Sequence, residues 1–181
     1  MKKLFFLALI VTMLITYVSA DDFILNRSQK SSGVTILAQH SSRGNAAIIL
    51  NCNIHKLTSK VVDTPKGKFT LLSIPKFQAT NEIGNPRVPM MNQLLEVPVG
   101  GSYSIKVLDQ ETREYKLEEL GVKYPIIPRQ PSRSKSSKEL EFVYNEDAYK
   151  QKGYTRKDLV KVEEIGLLRT LNLALVKFSP I

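Results

Sequence analysis

Cys52, His40 and His55 are the residues whose chemistry would matter most, because a thiolate beside an imidazole is a ready nucleophile. Cys52 is the only cysteine in the chain. It falls in the alternating run Ile48, Leu50, Cys52, Ile54, on the apolar face of an expected strand, where it serves as a small buried hydrophobe. The two histidines lie in polar surroundings with no repeated Cys or carboxylate spacing, so they are expected at the surface and no metal site is expected. Carboxylate pairs are the other route to catalysis, and Glu118-Glu119, Glu146-Asp147 and Glu163-Glu164 are adjacent pairs. Neighbours on a strand point to opposite faces, so such pairs are poorly placed to share one substrate. With no Gly-x-Ser-x-Gly elbow and no phosphate-cradling glycine loop, neither catalysis by this chain nor a cofactor is expected.

The elements that would position any site begin after a leader. Lys2 and Lys3 precede an apolar stretch from Leu4 to about Tyr17, and Val18-Ser19-Ala20 supplies small residues for cleavage. Residues 1–20 are therefore expected to be a signal peptide, since the apolar stretch is shorter than the ~20 residues that span a bilayer. Residues 21–181 then form one secreted, periplasmic or cell-surface domain, with no second hydrophobic segment and no stable membrane insertion expected. A single cysteine cannot close an internal disulfide, so stability has to come from burial. The formal net charge is +9, with Lys and Arg densest over residues 129–138 and 150–161. Export, acids mixed among the bases and the lack of a recognisable motif argue against nucleic acid as the partner.

Period-two alternation with Gly and Pro punctuation recurs along the domain and predicts strands over 33–39, 46–56, 59–63, 68–74, 91–97, 102–109, 113–117 and 171–178. Thr64-Pro65-Lys66-Gly67 has the chemistry of a hairpin turn, and Val99-Gly100-Gly101 that of a second turn. Residues 111–120 are ambiguous, because their charges also suit an exposed helix. Many short strands, regular turns and little helix predict an all-β fold, an antiparallel β-sandwich.

Residues 124–138, YPIIPRQPSRSKSSK, lack the apolar surface to fold alone and are expected to be an exposed loop, either a connector or a segment laid across a partner. GNPRVP, residues 84–89, has the proline spacing of a polyproline ligand. It runs straight into the alternating Met91, Gln93, Leu95 and Val97, however, which makes it a rigid strand entrance whose prolines withhold hydrogen-bond donors from a sheet edge.

Taken in order, GNPRVP, LLEVPVGGSYSIKV, YPIIPRQP, FVYNEDAY and LLRTLNLALVKFSPI resemble the propeptide of gingipain-type cysteine peptidases over roughly residues 70–181. Gly84, Pro86 and Pro89 match that family's Gly-x-Pro-x-Leu-Pro pattern, with Val88 in place of leucine. Val97-Pro98 with Gly100-Gly101, Tyr124-Pro125 with Pro128 and Pro131, and Tyr144-Asn145-Glu146 with Tyr149 match the following segments. Phe178-Ser179-Pro180 matches the family's aromatic-Pro ending in part.

The resemblance implies a β-sandwich prodomain that precedes a caspase-like catalytic domain, assists its folding and blocks its cleft until it is cleaved away. The catalytic His and Cys of that family belong to the downstream domain, which is absent from this chain. The partner it implies is the cognate cysteine peptidase catalytic domain, in cis or in trans. It also gives the basic loop a purpose, since the better-known peptidases of the family cut after Arg or Lys. Arg129 and Arg133 are the candidates for an inhibitory or a processing role. A guanidinium can pair with a carboxylate at the base of a pocket, but Gln130 and Ser134 follow the two arginines and neither bond has a proline to resist turnover. The same strands without catalytic groups also suit a secreted adhesion or structural module, which would bind a surface or glycan and leave peptidases unaffected.

Overall fold

Apolar residues at alternate positions drive this chain into antiparallel pairs, because a strand with one greasy face is stable only against a neighbour. The computed structural model describes residues 20–42, 45–101, 103–132, 141–150 and 158–180. The expected signal peptide, apart from Ala20, lies outside the described residues.

The strands run β1 (Ala20–Ile24), β2 (Gly33–Ser42), β3 (Asn45–Asn53), β4 (Lys56–Thr64), β5 (Gly67–Ser73), β6 (Gln78–Ala79) and β7 (Pro89–Glu96), then the short helix α1 (Glu146–Lys150), β8 (Val160–Leu168) and β9 (Leu171–Phe178). They form three sheets, ordered β1-β4-β5, β2-β3 and β6-β7-β9-β8, with every strand pair antiparallel. The fold is all-β and antiparallel, as expected. Thr64 closes the β4–β5 hairpin, its hydroxyl donating to Gly67 O at 2.8 Å and accepting from Lys66 N at 3.2 Å.

The expected strand over 171–178 coincides with β9. The strands expected over 102–109 and 113–117 do not form; residues 103–116 run as irregular, exposed chain. Alternation supplied the pattern there, but no neighbouring edge pairs with it. Strand β8 went unforeseen for the converse reason. A bulge between Glu164 and Gly166 breaks its period-two pattern, and Gly166 takes a positive φ of 108°, so the side chains change faces midway.

Leu57, Leu72, Ile74 and Val122 form the buried cluster, with Leu25, Ile54, Phe77, Leu120 and Ile126 packed against it. Val88, Met90, Leu173, Ala174, Val176 and Phe178 are also buried, along β7 and β9 and the residue before β7. The two sets of residues bracket the chain that matters for function. Val122 and Ile126 lead into the proline-rich segment, and β7 continues from GNPRVP.

Candidate interaction site

Thr70, fully buried on β5, is where the proline-rich segment is first held. Its N–H donates to Pro125 O at 2.8 Å, its carbonyl accepts from Ile127 N at 2.8 Å, and its hydroxyl accepts from Tyr124 N at 3.3 Å. On its other side the segment pairs with GNPRVP: Arg87 N donates to Ile127 O at 2.8 Å, Arg129 N to Asn85 O at 2.9 Å, and Gly84 N to Arg129 O at 2.8 Å. Pro86 and Pro128 face each other in this antiparallel bridge. Neither has an N–H, and the pairing runs through the residues on either side of them, so facing prolines leave no donor orphaned.

The FVYNEDAY stretch completes the junction. Asn145 N donates to Gly84 O at 3.0 Å, and its side-chain amide to Asn85 Oδ1 at 2.8 Å. Asn145 Oδ1 accepts from Asp147 N at 3.2 Å and so caps α1. The Gln130 amide imitates a paired peptide, its Nε2 donating to Val143 O at 2.8 Å and its Oε1 accepting from Val143 N at 3.0 Å. Tyr144 and Tyr149 stack with ring centroids 4.3 Å apart, and Phe69 of β5 packs on Phe142 and Tyr144. The Tyr149 hydroxyl donates to Ile126 O at 2.5 Å. Burial, with Tyr144 close by, raises its pKa above the ordinary tyrosine value, so it stays a donor at neutral pH. Replacing Tyr149 by Phe leaves the half-buried Ile126 carbonyl short of this donor, and should lower unfolding free energy by about 1 kcal/mol in a denaturant titration. An unchanged midpoint would mean that water substitutes fully.

Three of the ordered motifs thus meet in one junction, and the other two meet each other. Strand β7 pairs with β9 from Met91↔Phe178 to Glu96↔Leu173. Beyond the ladder Val97 N donates to Asn172 O at 2.9 Å, and the Asn172 amide reaches Pro98 O at 3.3 Å. GNPRVP leads straight into β7 as expected, with Pro89 its first residue and fully buried, but its prolines do not guard a sheet edge: β7 lies between β6 and β9, Pro89 pairs with Ala79, and Asn85 and Arg87 bond to the proline-rich segment.

The sequence-derived candidates fall unequally in this frame. Arg129 is half-buried, and its main-chain N–H and carbonyl are both taken by residues 84 and 85. Arg133 lies outside the described residues. The part of residues 124–138 that was expected to be an exposed loop is instead tied down between Tyr124 and Gln130, with Pro128 fully buried. Composition could not reveal this, because the donors and acceptors that hold it come from residues distant in sequence, Thr70 and residues 84–87 upstream and Val143 and Tyr149 downstream.

What sequence reasoning missed is the segment 103–116. From Ser104 to Tyr115 it makes no main-chain to main-chain hydrogen bond with any described residue, and Ile105, Val107 and Leu108 are exposed. Arg113 anchors its far part, donating to Glu111 Oε1 at 2.5 Å and to Leu25 O at 2.9 Å. Lys106 is exposed and makes no ion pair among the described residues. The signal was the alternation itself, which marks a strand in want of a partner as readily as a paired one.

Catalytic chemistry finds little support in the geometry. Cys52 lies on β3 opposite Val34, and burial pushes its thiol up to about 11, so it is protonated and weakly nucleophilic near neutrality. His55 is bound into a turn, its Nδ1 2.8 Å from Asn26 O and its N–H donating to Ser32 Oγ at 2.8 Å. Among the described residues no three His, Cys, Asp or Glu side chains gather as a metal site, and no helix is long and apolar enough to cross a membrane.

Comparison with known proteins decides the family. The Propeptide_C25 family profile matches residues 26–181. The chain belongs to the Propeptide_C25 family. It is a gingipain-type propeptide and is itself non-catalytic, the cysteine peptidase being a separate, downstream domain. Lys-gingipain of Porphyromonas gingivalis is 36% identical over 122 residues, which is 66% of this chain and 7% of that protein. Lys-gingipain HG66 of the same organism is 35% identical over the same length. The chain thus spans 7% of the length of these relatives. A solved structure described as giving insight into the zymogenic latency of gingipain K from Porphyromonas gingivalis superposes with a TM-score of 0.75 at 28% identity, covering 90% of this chain and 86% of that one. A complex of Porphyromonas gingivalis RgpB pro- and mature domains shares the fold, at a TM-score of 0.56 and 16% identity over 81% of this chain and 72% of that one.

Proposed function

We propose that this Propeptide_C25 chain is exported, helps a gingipain-type catalytic domain to fold, and holds that domain latent by occupying its active-site cleft, in cis or in trans. The observation that carries the reading is the segment 103–116. Exposed chain whose main-chain groups from Ser104 to Asp109 are unpaired among the described residues is open to a peptidase cleft, because the cleft pairs with the substrate backbone and reads side chains in pockets. Lys106 sits on that stretch with its ammonium in solvent and its neighbours Ile105 and Val107 exposed. It is the basic group best placed to enter a specificity pocket. Arg113 is less so, since its guanidinium is already bound to Glu111 and Leu25.

Arg129 and Arg133 remain in the proposal as the basic loop's contact or processing residues. The Arg129 backbone is engaged with residues 84 and 85, so Arg129 acts through its side chain or is cut only after the junction opens. Export is supported by Lys2-Lys3 and the apolar run that follows them.

The test is to titrate the purified chain into the mature catalytic domain of Lys-gingipain and follow hydrolysis of a lysyl peptide. Inhibition at or below micromolar propeptide is expected, and Lys106→Ala should raise the inhibition constant by about tenfold or more, as loss of a central anchor does. A comparable loss in Arg129→Ala or Arg133→Ala, with Lys106→Ala unaffected, would move the blocking contact to the basic loop. No inhibition at micromolar excess would sink the proposal.

A further inference from the structure

Behind its exposed Arg169-Thr170 turn, the β8–β9 hairpin tip carries apolar side chains that the fold itself does not use. Ile165, Leu167, Leu168 and Leu171 are all exposed, Leu167 at 65% and Leu168 at 62%, whereas Asn172, Leu173 and Ala174 directly behind them are buried. Isolated exposed aliphatics are ordinary, but four within seven residues of one hairpin form a patch of the kind that marks an interaction site. Leu168 pairs with Leu171 and Leu167 with Asn172. Paired residues share a face and successive pairs alternate, so both faces of the tip carry leucine. Such a tip suits insertion into a crevice better than lying flat on a surface.

The tip is coupled to the segment 103–116. Asn172, next after Leu171, accepts from Val97 N through its carbonyl, and its side-chain amide donates to the Tyr103 hydroxyl at 3.2 Å and to Pro98 O at 3.3 Å. Tyr103 is where the unpaired chain begins. These bonds tie the base of the hairpin tip to the start of the segment that carries the exposed Ile105, Val107 and Leu108.

We propose that this tip is a second docking point for the peptidase catalytic domain, seated in an apolar crevice beside the cleft that residues 103–108 enter. The inference rests on the propeptide reading above. The occupant is a protein, because the segment to which the tip is hydrogen-bonded carries main-chain groups of residues 104–108, unpaired among the described residues, that lipid cannot satisfy. A second copy of this chain is disfavoured by the net positive charge that each would bring.

The double variant Leu168→Asp with Leu171→Asp tests it, measured with the mature catalytic domain of Lys-gingipain. Both residues are exposed, so the unfolding temperature should stay near that of the wild type, while the inhibition constant rises at least about tenfold. Leu168→Met with Leu171→Met should retain inhibition. If the wild type inhibits and the Asp variant inhibits equally well, the tip is no contact and the propeptide reading stands. If the wild type does not inhibit, hydrogen exchange on the mixture separates the two ideas: protection over residues 165–171 keeps the docking point and sinks latency, and no protection overturns both. Co-sedimentation of the wild type with anionic phosphatidylserine vesicles, lost in the Asp variant, would overturn the assignment in favour of a membrane surface.

Discussion

Leu57→Ala should lower the unfolding free energy by about 3 kcal/mol, within the roughly 2–5 kcal/mol that truncating a fully buried leucine removes. Leu57 is only 2% exposed, and it packs with Leu72, Ile74 and Val122. The truncation forfeits the transfer free energy of the removed methyl groups and leaves a cavity that neighbours on β4 and β5 cannot close without breaking their ladder. In a domain of this size each kcal/mol corresponds to about 2–4 °C, so thermal unfolding should move down by roughly 6–12 °C. Leu57→Met, which conserves volume, should cost less than about 1.5 kcal/mol. Leu168→Ala, at an exposed position, should cost little. Equal shifts at Leu57 and Leu168 would show that the cluster around Leu57 is not the core. The functional consequence follows from Ile126, which packs on the same cluster while its carbonyl accepts from Tyr149. A loosened core should therefore loosen the junction that holds the proline-rich segment.

Where the sequence could be read and where it could not has a physical pattern. Strand β9 was legible to the residue because Leu171–Phe178 is a mostly apolar run closed by Ser179-Pro180. Local chemistry likewise specified the Thr64–Gly67 turn and the Pro89 entrance to β7. Strand β8 was not legible, since its bulge at Ile165 and the adjacent Glu163-Glu164 spoil the period. The segment 103–116 misled in the opposite direction. Tyr103, Ile105 and Val107 alternate as a strand does, but pairing depends on whether an edge is available, and that is settled by the rest of the fold. The ordered motifs were visible one by one, whereas their convergence was not. No local rule brings residue 84 to residue 129 and residue 145, and the bonds between them are almost all main-chain, which carry no side-chain signature.

That convergence makes the buried Gly84 the most vulnerable single point of the junction. Gly84 has a φ of 84°, a region that costs a residue with a side chain about 1–2 kcal/mol. A Cβ there would lie 3.3 Å from the backbone nitrogen of Asn145 and 3.3 Å from Val143 Cγ1. The Asn145 nitrogen cannot simply move away, because it donates to Gly84 O at 3.0 Å, and Val143 is held through its own main chain by Gln130. Gly84→Ala should therefore add the loss or distortion of a hydrogen bond, about 1 kcal/mol, to the backbone strain, for a total of about 2–3 kcal/mol. Gly100 separates the two contributions, since its φ is 72° but nothing lies within 4 Å of its would-be Cβ. Gly100→Ala should cost only the backbone share, about 1 kcal/mol. Denaturant titrations of both variants decide the matter: a Gly84 variant no less stable than the Gly100 variant would mean that the FVYNEDAY stretch gives way freely, and that the junction does not clamp the proline-rich segment. If the clamp holds, hydrogen exchange in Gly84→Ala should rise at Arg129, whose N–H bonds to Asn85 O, while β9 stays protected. A rise spread evenly over both would point to global destabilisation instead.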